Sequence, residues 1–81
     1  MTVYALLVGI NEYAAVNNLS GCVQDVERIE EFLRARVKPE YLAEPLKLLN
    51  QLATRQAIVD GFEQYLGQAK DGDVALLLVR S

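Results

Sequence analysis

The sequence predicts an α/β fold in the order β-α-β-α-β, and three observations carry that prediction. Two segments, Val3 to Ile10 and Val74 to Val79, are apolar almost throughout, and a short run, Leu46 to Leu49, lies between them. Runs like these suit strands covered on both faces, as in a parallel sheet. The two segments joining them carry apolar residues at helical spacing, and parallel strands require crossovers of about that length. Right-handed crossovers are then expected.

The elements follow in order. Val3-Tyr4-Ala5-Leu6-Leu7-Val8-Gly9-Ile10 is too short to span a membrane and too uniformly apolar for a half-exposed strand. Asn11 to Asn18 is a loop, with Asn11, Asn17 and Asn18 as turn formers. Ser20 is placed to cap a helix running from about Gly21 to Arg36. Cys22, Val26, Ile29 and Leu33 recur on one face of it with Phe32 beside them, while Glu27, Arg28, Glu30, Glu31 and Arg34 hold the other. Glu30 and Arg34 form a favourable i,i+4 pair, read as an exposed contact. Pro39 and Pro45 bracket a loop with a short helical turn near Tyr41. Leu46 to Leu49 is the second strand. Thr54 caps a second helix from Arg55 to about Lys70, whose apolar face is Ile58, Phe62, Tyr65, Leu66 and Ala69. Gly61 within it costs about 1 kcal/mol relative to alanine and suggests a close approach. Asp71-Gly72-Asp73 is a turn, and Val74 to Val79 is the third strand.

At 81 residues the chain is one domain or part of one. A chain of this size buries only about 60–65% of its unfolded surface, so its stability margin is thin. A hydrophobic content of 52% argues against disorder and exceeds what one small core hides. The net charge of −3 gives no reason to expect nucleic-acid or anionic-membrane partners. The single cysteine cannot form an internal disulfide, and no basic region precedes the first apolar run, so a cytoplasmic protein is expected. There is no histidine.

The stretch from Val3 to Asp25 also carries a family resemblance. An apolar strand, Gly9-Ile10-Asn11, a short variable loop, then Leu19-Ser20-Gly21-Cys22-Val23-Gln24-Asp25-Val26 resembles the start of a caspase-like cysteine peptidase domain, closest to the metacaspases and prokaryotic caspase homologues. The likeness continues through Ala53-Thr54 and Gly72-Asp73 to about Leu77. It implies that residues 1–81 are the N-terminal portion of a caspase-like catalytic domain, a partial three-layer α/β/α, Rossmann-like fold. It also implies that the first strand lies between the second and third, with the two helices on opposite faces. Asn11, the Cys22/Asp25 helix start and the end of the third strand then share one rim. In open α/β sheets, ligands gather at such a point.

Cys22 and Asp25, three apart at a helix start, face the same way. The residues alone allow a bland reading: Cys22 as a small buried hydrophobe, and Asp25 as a first-turn carboxylate favoured by the helix dipole by about 0.3–1 kcal/mol. The resemblance implies another. In metacaspases the matching Cys and Asp help line the pocket for the substrate residue before the cleaved bond, and the aspartate pairs with an incoming Arg or Lys. The first basic residue is Arg28, and Glu12 and Asp25 precede it, so an acidic, arginine-selecting pocket is expected. Cys22 is not the nucleophile, because thiolate catalysis needs a base and no histidine exists. In the family the catalytic His follows the third strand in Ser-Gly-His-Gly, and the nucleophilic Cys follows a fourth. The sequence departs from that pattern near Leu78, so no catalytic residue is assigned and the chain alone is expected to be inactive.

Other chemistries find little support. Gly9 lacks the companions of a nucleotide-binding motif. No Cys/His cluster suits zinc, and Asp71 and Asp73 read as a solvated turn rather than a cation site. No cofactor is expected. The partners expected are a peptide or protein substrate, if the rest of the domain completes the site, and further copies of the chain through the strand at Val74 to Val79. Two other readings stand beside the peptidase fragment: a catalytically inactive interaction module on the same scaffold, and an unrelated small α/β domain that binds a small molecule.

Overall fold

The computed structural model describes residues 1–10 and 21–80. The first strand, β1 (Val3–Gly9), is followed by the helix α1 (Gly21–Arg36), a 3-10 turn at Pro39–Tyr41 and β2 (Leu46–Leu49). A 3-10 turn at Asn50–Leu52, a second helical segment and β3 (Val74–Arg80) complete the order. The sheet is parallel with the order β2-β1-β3. The predicted β-α-β-α-β succession and the central place of β1 are therefore both found. The loop Asn11 to Asn18 and the Ser20 cap lie outside the described residues.

Because side chains alternate along a strand, β1 supplies two cores. On one side Ala5 and Leu7 are buried with Val26 of α1, and Ile29, Leu33, Leu49, Leu76 and Leu78 pack around them. On the other, Leu6 and Val8 are buried with Leu66, joined by Tyr4, Leu46, Leu48, Ile58 and Tyr65. The two helical segments thus cover opposite faces of the sheet. Tyr4 and Tyr65 meet edge to face at 5.7 Å, an arrangement the ring quadrupoles favour. The Tyr65 hydroxyl donates to the Glu44 carbonyl at 2.7 Å.

Three expectations need correction. Phe32 does not join the apolar face of α1. It is 52% exposed and carries the Arg36 guanidinium over its ring at 4.7 Å, a contact open to water. The second helix is not a uniform α-helix to Lys70. It runs as α2 (Arg55–Asp60), a π-helical turn at Gly61–Tyr65 and a 3-10 turn at Leu66–Gln68. Gly61 is buried where the π-helical turn begins, and Phe62 beside it is 56% exposed; the wider winding then brings Leu66 to the buried face. A Cβ at Gly61 would sit 3.1 Å from Leu6 Cδ2 and 3.2 Å from Leu46 Cδ2, which is the close approach the glycine suggested. Glu30, finally, is not an exposed partner. Its side chain is mostly covered and accepts from Arg34 Nη2 at 2.8 Å and Lys47 Nζ at 2.7 Å. Lys47 first, and then Arg34, holds its carboxyl below the usual range. Thr54 caps α2 as predicted, its Oγ1 accepting from the Ala57 amide at 3.0 Å.

The turn before β3 ties the start of β3 to the start of β1. Gly72 takes φ of +90°, open to glycine and strained for other residues. Asp73 then accepts from the Thr2 amide at 2.7 Å and the Lys70 amide at 3.0 Å. These amides, Lys70 foremost, hold its carboxyl below the ordinary aspartate range.

Two outcomes are expected. The contribution of Asp73 to stability is complete above its unfolded value near about 3.9 and is lost as pH falls through its depressed native value. Denaturant melts of Asp73→Asn against the parent should differ at neutral pH and converge in strong acid; an offset unchanged by acid would refute the assignment. A Cβ at Gly9 would lie 2.9 Å from Val26 Cγ2 and 3.1 Å from the Cys22 carbonyl oxygen. Gly9→Ala should therefore cost about 1–3 kcal/mol by forcing α1 off the sheet, and an unchanged melt would contradict it.

Candidate functional site

The rim at the carboxyl end of the sheet is set by how α1 meets β1. Gly9 ends β1 without a side chain, and the backbone of Cys22 and the methyls of Val26 occupy the space a Cβ would need. The first turns of α1 are thereby held directly above the end of β1. β3 reaches the same level, since Gly9 and Arg80 are partners in the parallel register. The Ile10 amide donates to the Arg80 carbonyl at 3.0 Å.

The register also directs the side chain of Arg80. Residues opposite one another in a parallel pair share a face, so Arg80 lies on the α1 side with Leu76 and Leu78. There it meets Asp25: Nη2 donates to Asp25 Oδ2 at 2.9 Å and Nε to the same oxygen at 3.3 Å. Arg28 Nη1 stands 3.8 Å from Asp25 Oδ1. Asp25, Arg28, Ile29, Leu78 and Arg80 line a shallow depression of about 330 Å³. Its chemistry is one carboxylate approached by two guanidiniums beside an apolar floor, open to water, with the Asp25 side chain 33% exposed. Such a place suits a cation on an apolar stem, the form of an arginine or lysine side chain.

The predicted site residues fall at this rim in different ways. Asp25 is in the depression. Cys22, one turn earlier and half-buried, presses its backbone on Gly9 and does not line it. Asn11 lies outside the described residues. Asp25 also sits beyond the first turn of α1, which holds no acidic residue. A helix dipole acts mainly within that turn, so the dipole explanation of Asp25 weakens. The residue the sequence did not single out is Arg80, which directly follows the third apolar run. Its only signal was the register: seven residues of β3 set against seven of β1 bring it level with Gly9.

Among the described residues no group of three or more metal-ligating side chains could hold an ion. No described helix is long and apolar enough to cross a membrane.

Comparison with known proteins bears on the family and the fold. The family model for the metacaspase, peptidase C14 domain matches residues 4–79. Metacaspase-1 of Meyerozyma guilliermondii is 31% identical over 74 residues, which is 85% of this chain and 18% of that relative. The chain thus spans about a fifth of that relative's length. No solved structure matches. With the match running from β1 through β3, the chain belongs to the metacaspase, peptidase C14 domain family and carries part of its α/β fold.

Proposed function

We propose that the chain is the N-terminal piece of a cytoplasmic, metacaspase-type cysteine endopeptidase and supplies part of the pocket for an Arg or Lys of the substrate. Asp25 is the recognition group, and the half-buried Cys22 helps to hold the wall from which it projects. The observation that carries this reading is the Asp25–Arg80 pair: the carboxylate already accepts two hydrogen bonds from a guanidinium on an apolar floor. Arg80 would be the stand-in for the substrate's side chain, and an incoming arginine displaces it.

The chemistry itself is not in residues 1–81. A thiol nucleophile needs a base to take its proton, and the sequence has no histidine. The role left to this piece is binding and orientation, with the reacting groups supplied from elsewhere in a complete domain.

Two measurements test the proposal. In a complete domain whose remaining part closes this depression to water, Asp25→Ala should lower kcat/KM for cleavage after Arg or Lys by on the order of 30-fold or more, since losing the partner of a cation desolvated there costs about 2–5 kcal/mol. A loss under about threefold, with stability reduced, would make Asp25 structural. The 81-residue chain alone should not hydrolyse Arg- or Lys-containing peptides above background, and turnover that Cys22→Ala abolishes would overturn the binding-only role.

A further inference from the structure

Asp25 stands between two guanidiniums, and they hold it differently. Arg80 donates through Nη2 at 2.9 Å and Nε at 3.3 Å, both to Oδ2. Arg28 Nη1 lies 3.8 Å from the other oxygen, Oδ1. That is close enough for an ion pair and too long for a hydrogen bond. The Arg28 side chain is 74% exposed, yet it lines the same depression as Asp25. It follows Asp25 by three positions on α1, so both residues project from one face of the helix.

The difference decides what stays when the depression is occupied. Arg80 comes to Asp25 from β3, and a substrate cation takes its place on Oδ2. Arg28 shares a helix with Asp25, so its charge remains at the mouth. One carboxylate then faces two cations, the substrate's and that of Arg28. The donors of Arg28 are not engaged by Asp25, since 3.8 Å is beyond their range. A further positive charge on the substrate would add to the excess. A substrate carboxylate would relieve it, because a guanidinium offers carboxylates a paired set of donors.

Given Asp25 as the recognition group, on which this step rests, we propose that Arg28 is a specificity-determining residue. It selects substrates that carry an Asp or Glu two positions from the Arg or Lys held by Asp25, and it disfavours a basic residue there. Spacing supports the choice of position. In an extended peptide, residues two apart point to the same side and lie about 6.6 Å from each other. Asp25 and Arg28 are separated by about 4.5 Å along the axis of α1. The long side chain of Arg28 spans the difference. The immediate neighbours of the bound residue point to the opposite side of such a peptide, away from Arg28.

The test is cleavage, by a complete domain carrying this segment, of peptides that differ only two positions from the cleaved arginine. One of each pair has Glu there and the other Lys, and the two sides of the arginine are tried in turn. On one side the parent's kcat/KM should favour Glu by about three- to tenfold at low salt, since the attraction of one charge and the repulsion of the other combine. The ratio should shrink at about 1 M salt, where the Debye length is about 3 Å. Arg28→Lys should keep the preference, Arg28→Gln abolish it and Arg28→Glu reverse it. Impaired folding cannot produce a reversal. A parent without preference on either side, or Gln and Glu variants that keep it, would overturn the role of Arg28. Asp25→Ala should lower cleavage of all the peptides alike. A domain indifferent to that change, or one that cleaves none of the peptides, would overturn the pocket reading itself.

Discussion

β1 has no side facing water. Leu6, Leu7 and Val8 are fully buried, with strands on both edges and helical cover on both faces. Each such side chain contributes roughly 1.5–3 kcal/mol through removal from water, so one strand of seven residues organises both cores. The same burial requires that its carboxyl end carry nothing where α1 crosses. Gly9 meets that requirement, with Val26 and the Cys22 backbone in the space a methyl would fill. The height of α1 above the sheet, and hence the position of Asp25, follows from this contact.

Much of this was legible in the sequence because the signals were local. Continuous apolar runs gave the strands, Thr54 gave the start of α2, and Gly61 marked a close approach that the structure contains. What escaped notice depends on distant partners. Phe32 is next to Leu33 in the chain but about 100° round the helix from it, so Leu33 packs on the core while the ring of Phe32 instead carries Arg36. Phe62 lies within a π-helical turn that no residue type announces. Glu30 formed its predicted pair with Arg34 but also acquired Lys47 from β2, a contact set by the parallel register. The site divides in the same way: the shared helix end of Cys22 and Asp25 was visible, and the cation beside Asp25 was not.

The Asp25–Arg80 contact is close, but both partners are substantially open to water, and pairs of that kind contribute only about 0–1 kcal/mol. Its weakness bears on recognition. A buried pair would resist exchange strongly, because a carboxylate stripped of its partner would be left unsolvated. At this rim Arg80 can swing into water at small cost, and the carboxylate remains available to another cation. Weak occupancy by Arg80 is therefore compatible with a binding role, since it keeps Asp25 directed over Leu78 and Ile29 while nothing else is bound.

The packing of β3 and the place of Arg80 trace to one register. With Gly9 opposite Arg80 and Val3 opposite Val74, the even positions bring Leu76 and Leu78 to the α1 core and Arg80 to Asp25. The odd positions, Ala75, Leu77 and Val79, point to the opposite face. A slip of one residue would exchange the two sets, withdrawing Leu76 and Leu78 from the core and turning Arg80 from the rim. The bonds from Thr2 and Lys70 to Asp73 oppose such a slip at the start of the strand, and the core opposes it along its length. The register that positions Arg80 beside Asp25 is therefore also the one that seats Leu76 and Leu78 in the core. Arg80 cannot be moved from Asp25 by shifting the strand without losing the packing that holds α1 in place.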